Sequence, residues 1–243
     1  MNTRLVALAA LAAVLAVGLW SQPAQAHFVW LKLSSGASPR AEVYFAEMPQ
    51  VDDPDLLELV LTAKVWQVGT GGDRQELELQ KTRDSLSVTP QAPLTESPVV
   101  ELSQTYGVVQ RGGAVFLLMY HAKAMATPPG GTAEPVGETR LPLELVPSVS
   151  GPLLTVTALW QGRPLPGAQV VVGGPDLQED FIAATESDGT VKVRIREGGT
   201  YALRVRHIVP TSGTHEGQDY SEVRHYSTLT VPVEKPTDVA SGH

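Results

Sequence analysis

Four histidines, His27, His207, His215 and His225, are the residues of this chain best suited to chemistry. Neutral imidazole is a good ligand for copper, nickel, cobalt and zinc, and its protonated form loses the extra proton near neutral pH. His27 follows Ala24-Gln25-Ala26, a small-x-small pattern at which signal peptidases cut. Cleavage there would make His27 the first residue, so that its α-amine and its Nδ1 could close a six-membered ring on one metal ion. An unperturbed peptide α-amine titrates at about 7.7–8.0, so metal need displace a proton at only a small cost. With a second imidazole this becomes a T-shaped, all-nitrogen histidine brace, and the Irving–Williams order then ranks copper(II) above nickel and cobalt.

That chemistry depends on residues 1–26 being an export signal. Arg4 supplies the positive start, an apolar run covers 5–19, and Ser21, Gln22 and Pro23 end it. A membrane-spanning helix needs about 20 apolar residues, so the run suits a signal and falls short of a span. The expected location is periplasmic or secreted, with a mature chain that does not span the membrane. The sequence contains no cysteine, which excludes lipid attachment, disulfides, thiolate metal sites and a thiol nucleophile. The net charge is −8, and loss of Arg4 with the signal brings it to −9, which argues against nucleic-acid or anionic-membrane partners. An acidic surface serves solubility first and also suits a cation-rich compartment.

Short alternating or apolar runs between Gly and Pro predict strands over 27–33, 41–47, 63–68, 76–81, 99–103, 114–121 and 141–146. A short helix is expected over 53–60, with Asp52 or Asp53 as cap and Pro54 in the first turn. The Pro- and Gly-rich stretch 126–138 reads as a mobile loop. A linker is expected at 147–152, "PSVSGP", between an N-terminal β domain over 27–147 and a C-terminal one over 152–234, with a disordered tail over 235–243. Beyond the linker, strands are expected over 153–160, 169–172, 181–184, 191–196 and 201–208, with Asp188-Gly189 as a tight hairpin turn. The fold class is therefore all-β, two β-sandwich domains.

The segments "GRPLPGAQVVV", "TESDGTVKV" and "GGTYALRVRH" resemble the carboxypeptidase-regulatory-like or collagen-adhesin B-type module, which implies an immunoglobulin-like or prealbumin-like sandwich. The chain as a whole resembles an uncharacterised family of exported bacterial proteins often labelled as a periplasmic nickel or cobalt uptake component. The likeness rests on Ala26-His27-Phe28-Val29-Trp30-Leu31, on Arg206-His207 and on the final "EVRHYSTLTV". It implies a soluble accessory, with a metal ion and a membrane metal transporter as partners.

Strand parity then places the histidines. Tyr201, Leu203, Val205 and His207 share one face of their strand, and His225 shares the parity of Leu229, Val231 and Val233. Paired as an antiparallel hairpin, the two strands would set His207 against His225, Cβ atoms about 4.5–5.5 Å apart. His215 lies in the connecting loop with Glu216, Asp219 and Glu222 as possible oxygen ligands. His121 closes a run that is apolar on both faces and reads as a buried neutral histidine, while His243 sits in the polar tail and is given no role. Trp30, Trp66 and Trp160 read as core fillers, and Gly71-Gly72 and Gly112-Gly113 as turns rather than phosphate loops. Taken singly, each histidine is better explained as a hydrogen-bonded rim or core residue than as a ligand. Three readings follow: a divalent-metal carrier that is not an enzyme, using His27, His207, His225 and His215; a structural or interaction module; and a copper-dependent oxidative enzyme built on the same brace.

Overall fold

Residues that alternate apolar and polar side chains can bury one face of an extended strand, and runs apolar on both faces must lie between two layers. The computed structural model describes residues 27–34, 40–69, 71–89, 99–126, 141–177 and 180–236. Its first half contains β1 (Phe28–Leu33), β2 (Ala41–Ala46), a 3₁₀ helix (Pro54–Val60), β3 (Lys64–Val68), β4 (Arg74–Leu77), β5 (Gln80–Lys81), β6 (Leu86–Val88), β7 (Val99–Arg111) and β8 (Ala114–Met125). The second half contains β9 (Leu143–Ser150), β10 (Leu153–Trp160), β11 (Arg163–Pro164), β12 (Gln169–Gly173), β13 (Phe181–Ala184), β14 (Thr190–Arg194), β15 (Gly199–Val209), β16 (Gly213–His215), β17 (Gln218–Tyr220) and β18 (Glu222–Val233). The fold is all-β, as the sequence indicated. The one helix among the described residues starts as expected, with Asp53 accepting the Asp55 amide and Pro54 in its first turn.

An eight-stranded sheet, ordered β13-β12-β15-β18-β8-β7-β3-β4, runs through both halves of the chain. Its centre is the parallel pair β18 and β8, in register from Glu222–Phe116 to Thr230–Ala124. The two faces of this sheet carry separate cores. On one, Val65, Val100, Leu102, Phe116, Leu118, Tyr120 and Ala122 pack against Phe28, Trp30, Val43 and Phe45 of the sheet β1-β2-β6-β5. On the other, Val170, Leu203, Leu229 and Val231 pack against Leu145, Leu154, Val156 and Val191 of β9, β10 and β14. Strand β1 is an edge strand, and its buried carbonyls are satisfied by threonines of β18. Thr228 Oγ1 donates to Val29 O at 2.7 Å and Thr230 Oγ1 to Leu31 O at 2.6 Å.

Several expectations need correction. Residues 147–150 are not a linker, because they continue β9 and pair with β10 from Pro147–Val156 to Ser150–Leu153 around a turn at 151–152. The expected strand over 76–81 is two strands in different sheets, β4 beside β3 and β5 beside β6. Strand β6 has no counterpart among the expected strands. Asp188-Gly189 is a turn, but it does not close a hairpin, since β13 pairs with β12 and β14 with β10. The stretch 127–138 of the expected loop and residues 237–243 of the expected tail lie outside the described residues, as does the expected signal over 1–26.

The Asp188-Gly189 turn carries the chain between layers, and space there is short. Gly189 has φ 77°, and a Cβ at this position would lie 2.9 Å from Ala158 O and 3.0 Å from Leu165 N. Gly189→Ala is expected to cost about 1–3 kcal/mol in urea unfolding, from left-handed backbone strain and displaced strand backbone together.

Candidate functional site

The parallel pairing of β8 with β18 decides which histidines meet. His207 and His225 are opposite each other across β15 and β18, as parity required. On β8, His121 is the partner of Ser227 of β18 and of Ser103 of β7, so its side chain shares the face of His225. His121 Nε2 lies 3.0 Å from His225 Nδ1, and Ser103 Oγ lies 3.1 Å from His121 Nδ1. The two rings stack with centroids 5.4 Å apart and planes 13° apart. Trp160 of β10 covers the group from the facing layer, its ring 4.5 Å from that of His207 and 4.7 Å from that of His225.

Hydrogen-bond direction gives this chain two settings. In one, Ser103 donates to His121 Nδ1, His121 Nε2–H donates to His225 Nδ1, and His225 presents Nε2–H. In the other, each proton moves one step: His225 Nδ1–H donates to His121 Nε2, His121 Nδ1–H donates to Ser103 Oγ, and His225 Nε2 presents a lone pair. Among the described residues, His225 Nε2 and both ring nitrogens of His207 have no hydrogen-bond partner. Ser227 Oγ, on the same face and 1 % exposed as a residue, is also buried without a partner.

Burial holds all three imidazoles neutral. His121 is pushed down to about 3, first by burial and then by His225. His225 is pushed down to about 4, by burial and then by His207, and His207 is lowered by burial alone. The unfolded chain therefore binds protons below its ordinary value of 6.5 while the folded chain does not, so stability is full above about pH 6.5 and falls as pH drops toward 4. Each proton so taken up weakens the fold by about 1.4 kcal/mol per pH unit across that window. The expected outcome is a melting temperature that declines steadily from about pH 7 to about pH 4, with a shallower decline in His121→Leu, measured by circular dichroism.

The four residues singled out by sequence do not converge. His27 is on the opposite face of the central sheet, its ring 5.5 Å from that of Phe45 and its Nε2 3.2 Å from Asp52 Oδ2. Its carbonyl accepts a hydrogen bond from Tyr120, whose side chain alternates with that of His121 along β8. A brace joining His27 to His207 and His225 is thus ruled out by sheet parity, because β8 and β18 stand between them. His215 ends β16 of the small hairpin β16-β17, where it is the partner of Gln218, and its side chain makes no hydrogen bond, ion pair or ring contact among the described residues. Among the described residues no group of three or more His, Asp or Glu side chains is arranged to hold a metal ion.

A family model described as a domain of unknown function (DUF4198) matches residues 24–209. The chain belongs to this family. The match takes in His27, His121 and His207 of the DUF4198 chain and stops before His215 and His225. No curated protein matches the chain. Among solved structures, a two-domain fibronectin type-III segment of chicken tenascin is similar at 11 % identity and a TM-score of 0.20, over 81 % of this chain and 95 % of that one. The FN1–FN3 domains of chicken CNTN1 are similar at 8 % identity and a TM-score of 0.19, over 81 % of this chain and 64 % of theirs.

Sequence reasoning correctly expected a buried neutral His121 but assigned it no partner, and it missed Ser103 and Ser227. Trp160 was expected to fill the core, yet it is half-buried against two histidines. Only the pairing of β8 with β18, more than a hundred residues apart, could have exposed these neighbours. Trp30 does fill the core, its Nε1 donating to Ala46 O at 3.1 Å.

Proposed function

We propose that this DUF4198 protein is an exported, non-enzymatic binder of a divalent transition metal, with His225 Nε2 and His207 as ligands and His121 as the residue that orients His225. What supports the reading is the juxtaposition of neutral, unpartnered imidazole nitrogens on neighbouring strands with a second imidazole hydrogen-bonded behind one of them. A ligating histidine characteristically uses its other ring nitrogen in this way, which fixes the tautomer. Two imidazoles suit copper, nickel, cobalt or zinc, with water able to complete the shell. Bound there, the metal would supply a Lewis-acidic cation held for transfer. No helix among the described residues is long and apolar enough to cross a membrane. In this reading the chain carries the ion and a separate membrane transporter moves it.

Trp160 offers the readout. Copper(II) quenches indole emission at short range, and the Trp160 ring centre lies 4.5 Å and 4.7 Å from the two imidazole rings. Titration of the full chain with copper(II), and with nickel(II) by calorimetry, is expected to saturate at one ion. The quenching should disappear in Trp160→Phe, and binding should disappear in the double variant His207→Gln, His225→Gln. Saturable binding that survives the double variant would overturn the assignment.

A further inference from the structure

The Tyr120 face of the central sheet holds a feature that the histidines do not explain. A cleft of about 460 Å³ opens there, lined by the 3₁₀ helix residues Leu56 and Leu59, by β1 and β2, and by β7, β8, β15 and β18. A second cleft of about 720 Å³ adjoins it, sharing Phe28, Arg111, Arg206 and Tyr226. Both volumes fall in the range that takes a small organic ligand.

The lining of the smaller cleft is aromatic. Tyr120 lies 5.7 Å from Phe45, 5.6 Å from Tyr106 and 6.1 Å from Tyr226, ring centre to ring centre, and Phe28 lies 5.5 Å from Tyr226. Around this aromatic surface stand Arg111, Arg206 and Arg224, in a chain whose net charge is −8. No Asp or Glu is among the described residues lining either cleft. Three carboxylates reach lining residues, Asp52 at His27, Glu222 at Arg224 and Asp180 at Arg204 of the larger cleft, and all are committed to those pairs. Arg224 is further fixed over the Phe116 ring at 3.7 Å. Arg206, by contrast, is exposed, and its guanidinium has no ion pair or hydrogen bond among the described residues. The hydroxyls of Tyr106 and Tyr226 likewise have no hydrogen-bond partner among the described residues. The polar groups left over are therefore a guanidinium and two hydroxyls, all able to donate, beside flat apolar rings. That is the complement of an anionic head on a flat apolar body.

We propose that this cleft binds an aromatic carboxylate, its ring system against the half-buried Tyr106 and Tyr226, which Tyr120 and Phe45 back from the core, and its carboxylate held by Arg206. The cleft is on the opposite face of the sheet from His121 and His225, while His207 lines the larger cleft that adjoins it, and binding there does not depend on metal.

The test uses the full chain in the presence of a chelator, with 1-naphthoate and its uncharged analogue 1-naphthamide as probes in calorimetric titration. Naphthoate is expected to bind saturably and at least about tenfold more tightly than naphthamide, the effect of one charge-assisted pair. Arg206→Gln should remove that preference. Because Arg206 supports no other group, the variant should keep its melting temperature. Arg194→Gln, which removes an exposed charge on β14, should leave binding unchanged. Absence of saturable naphthoate binding, equal binding of naphthamide, an unaffected Arg206→Gln, or an equal loss in Arg194→Gln would each overturn the proposal.

Discussion

Lys123→Met is expected to unfold with a free energy about 3–5 kcal/mol below that of the unsubstituted chain, the usual cost of stranding one partner of a buried pair. Lys123 is on the His121 face of β8, 5 % exposed, and its ammonium pairs with Glu144 of β9, itself 6 % exposed. Glu144 Oε2 is already buried without a hydrogen bond, so removing the ammonium leaves a carboxylate with no compensation. The double variant Lys123→Met, Glu144→Leu should recover to within about 1 kcal/mol, because both charges then leave the interior together. Urea unfolding of the three proteins makes the comparison. A Lys123→Met chain as stable as the unsubstituted one would show that the pair is not what joins β8 to the β9 layer. Arg74 and Glu101 form a second pair on the same face, with Trp66 beneath the guanidinium at 4.7 Å.

The second large effect concerns metal. His225→Gln is expected to weaken copper(II) or nickel(II) binding about 100-fold or more, since it removes the ligand that two neighbours position. His121→Leu should weaken it about 10- to 100-fold without touching the ion, the range found when a ligand's orienting partner is lost. A purely structural role for His121 would lower stability and leave the His225 tautomer alone. Imidazole ¹⁵N shifts separate the two: with zinc(II) bound, His225 should ligate through Nε2 alone in the presence of His121 and through a mixture of Nδ1 and Nε2 in its absence. Retention of full affinity in His121→Leu would mean that the hydrogen bond between the rings serves the core alone.

Much of this was legible in the sequence, and the part that was not has a common cause. Alternation in 201–208 and 225–233 predicted that His207 and His225 face each other, because parity fixes which side chains of two paired strands share the buried face. The helix cap at Asp53 and Pro54 was visible for the same local reason. The place of His121 was not, because β8 pairs with β18 in parallel across more than a hundred residues, and such a pairing leaves no turn or spacing in the chain to mark it. The same pairing puts His27 on the wrong face for a brace, although its neighbours Phe28, Trp30 and Leu31 were rightly expected to form a strand. The 147–152 segment misled because Pro and Gly suggested a break, whereas Pro147 lies within β9 and Gly151 takes the positive φ of a hairpin turn.

The most direct test of the imidazole site is a long-range ¹H–¹⁵N spectrum of all histidine rings recorded while zinc(II) is titrated into the full chain. The ring nitrogens of His225 and His207 should move to metal-bound shifts together and saturate at one equivalent, with His121 changing only through its hydrogen bond and His27 and His215 unmoved. Metal-bound shifts at His27 or His215 with His225 unchanged at saturation would contradict the assignment.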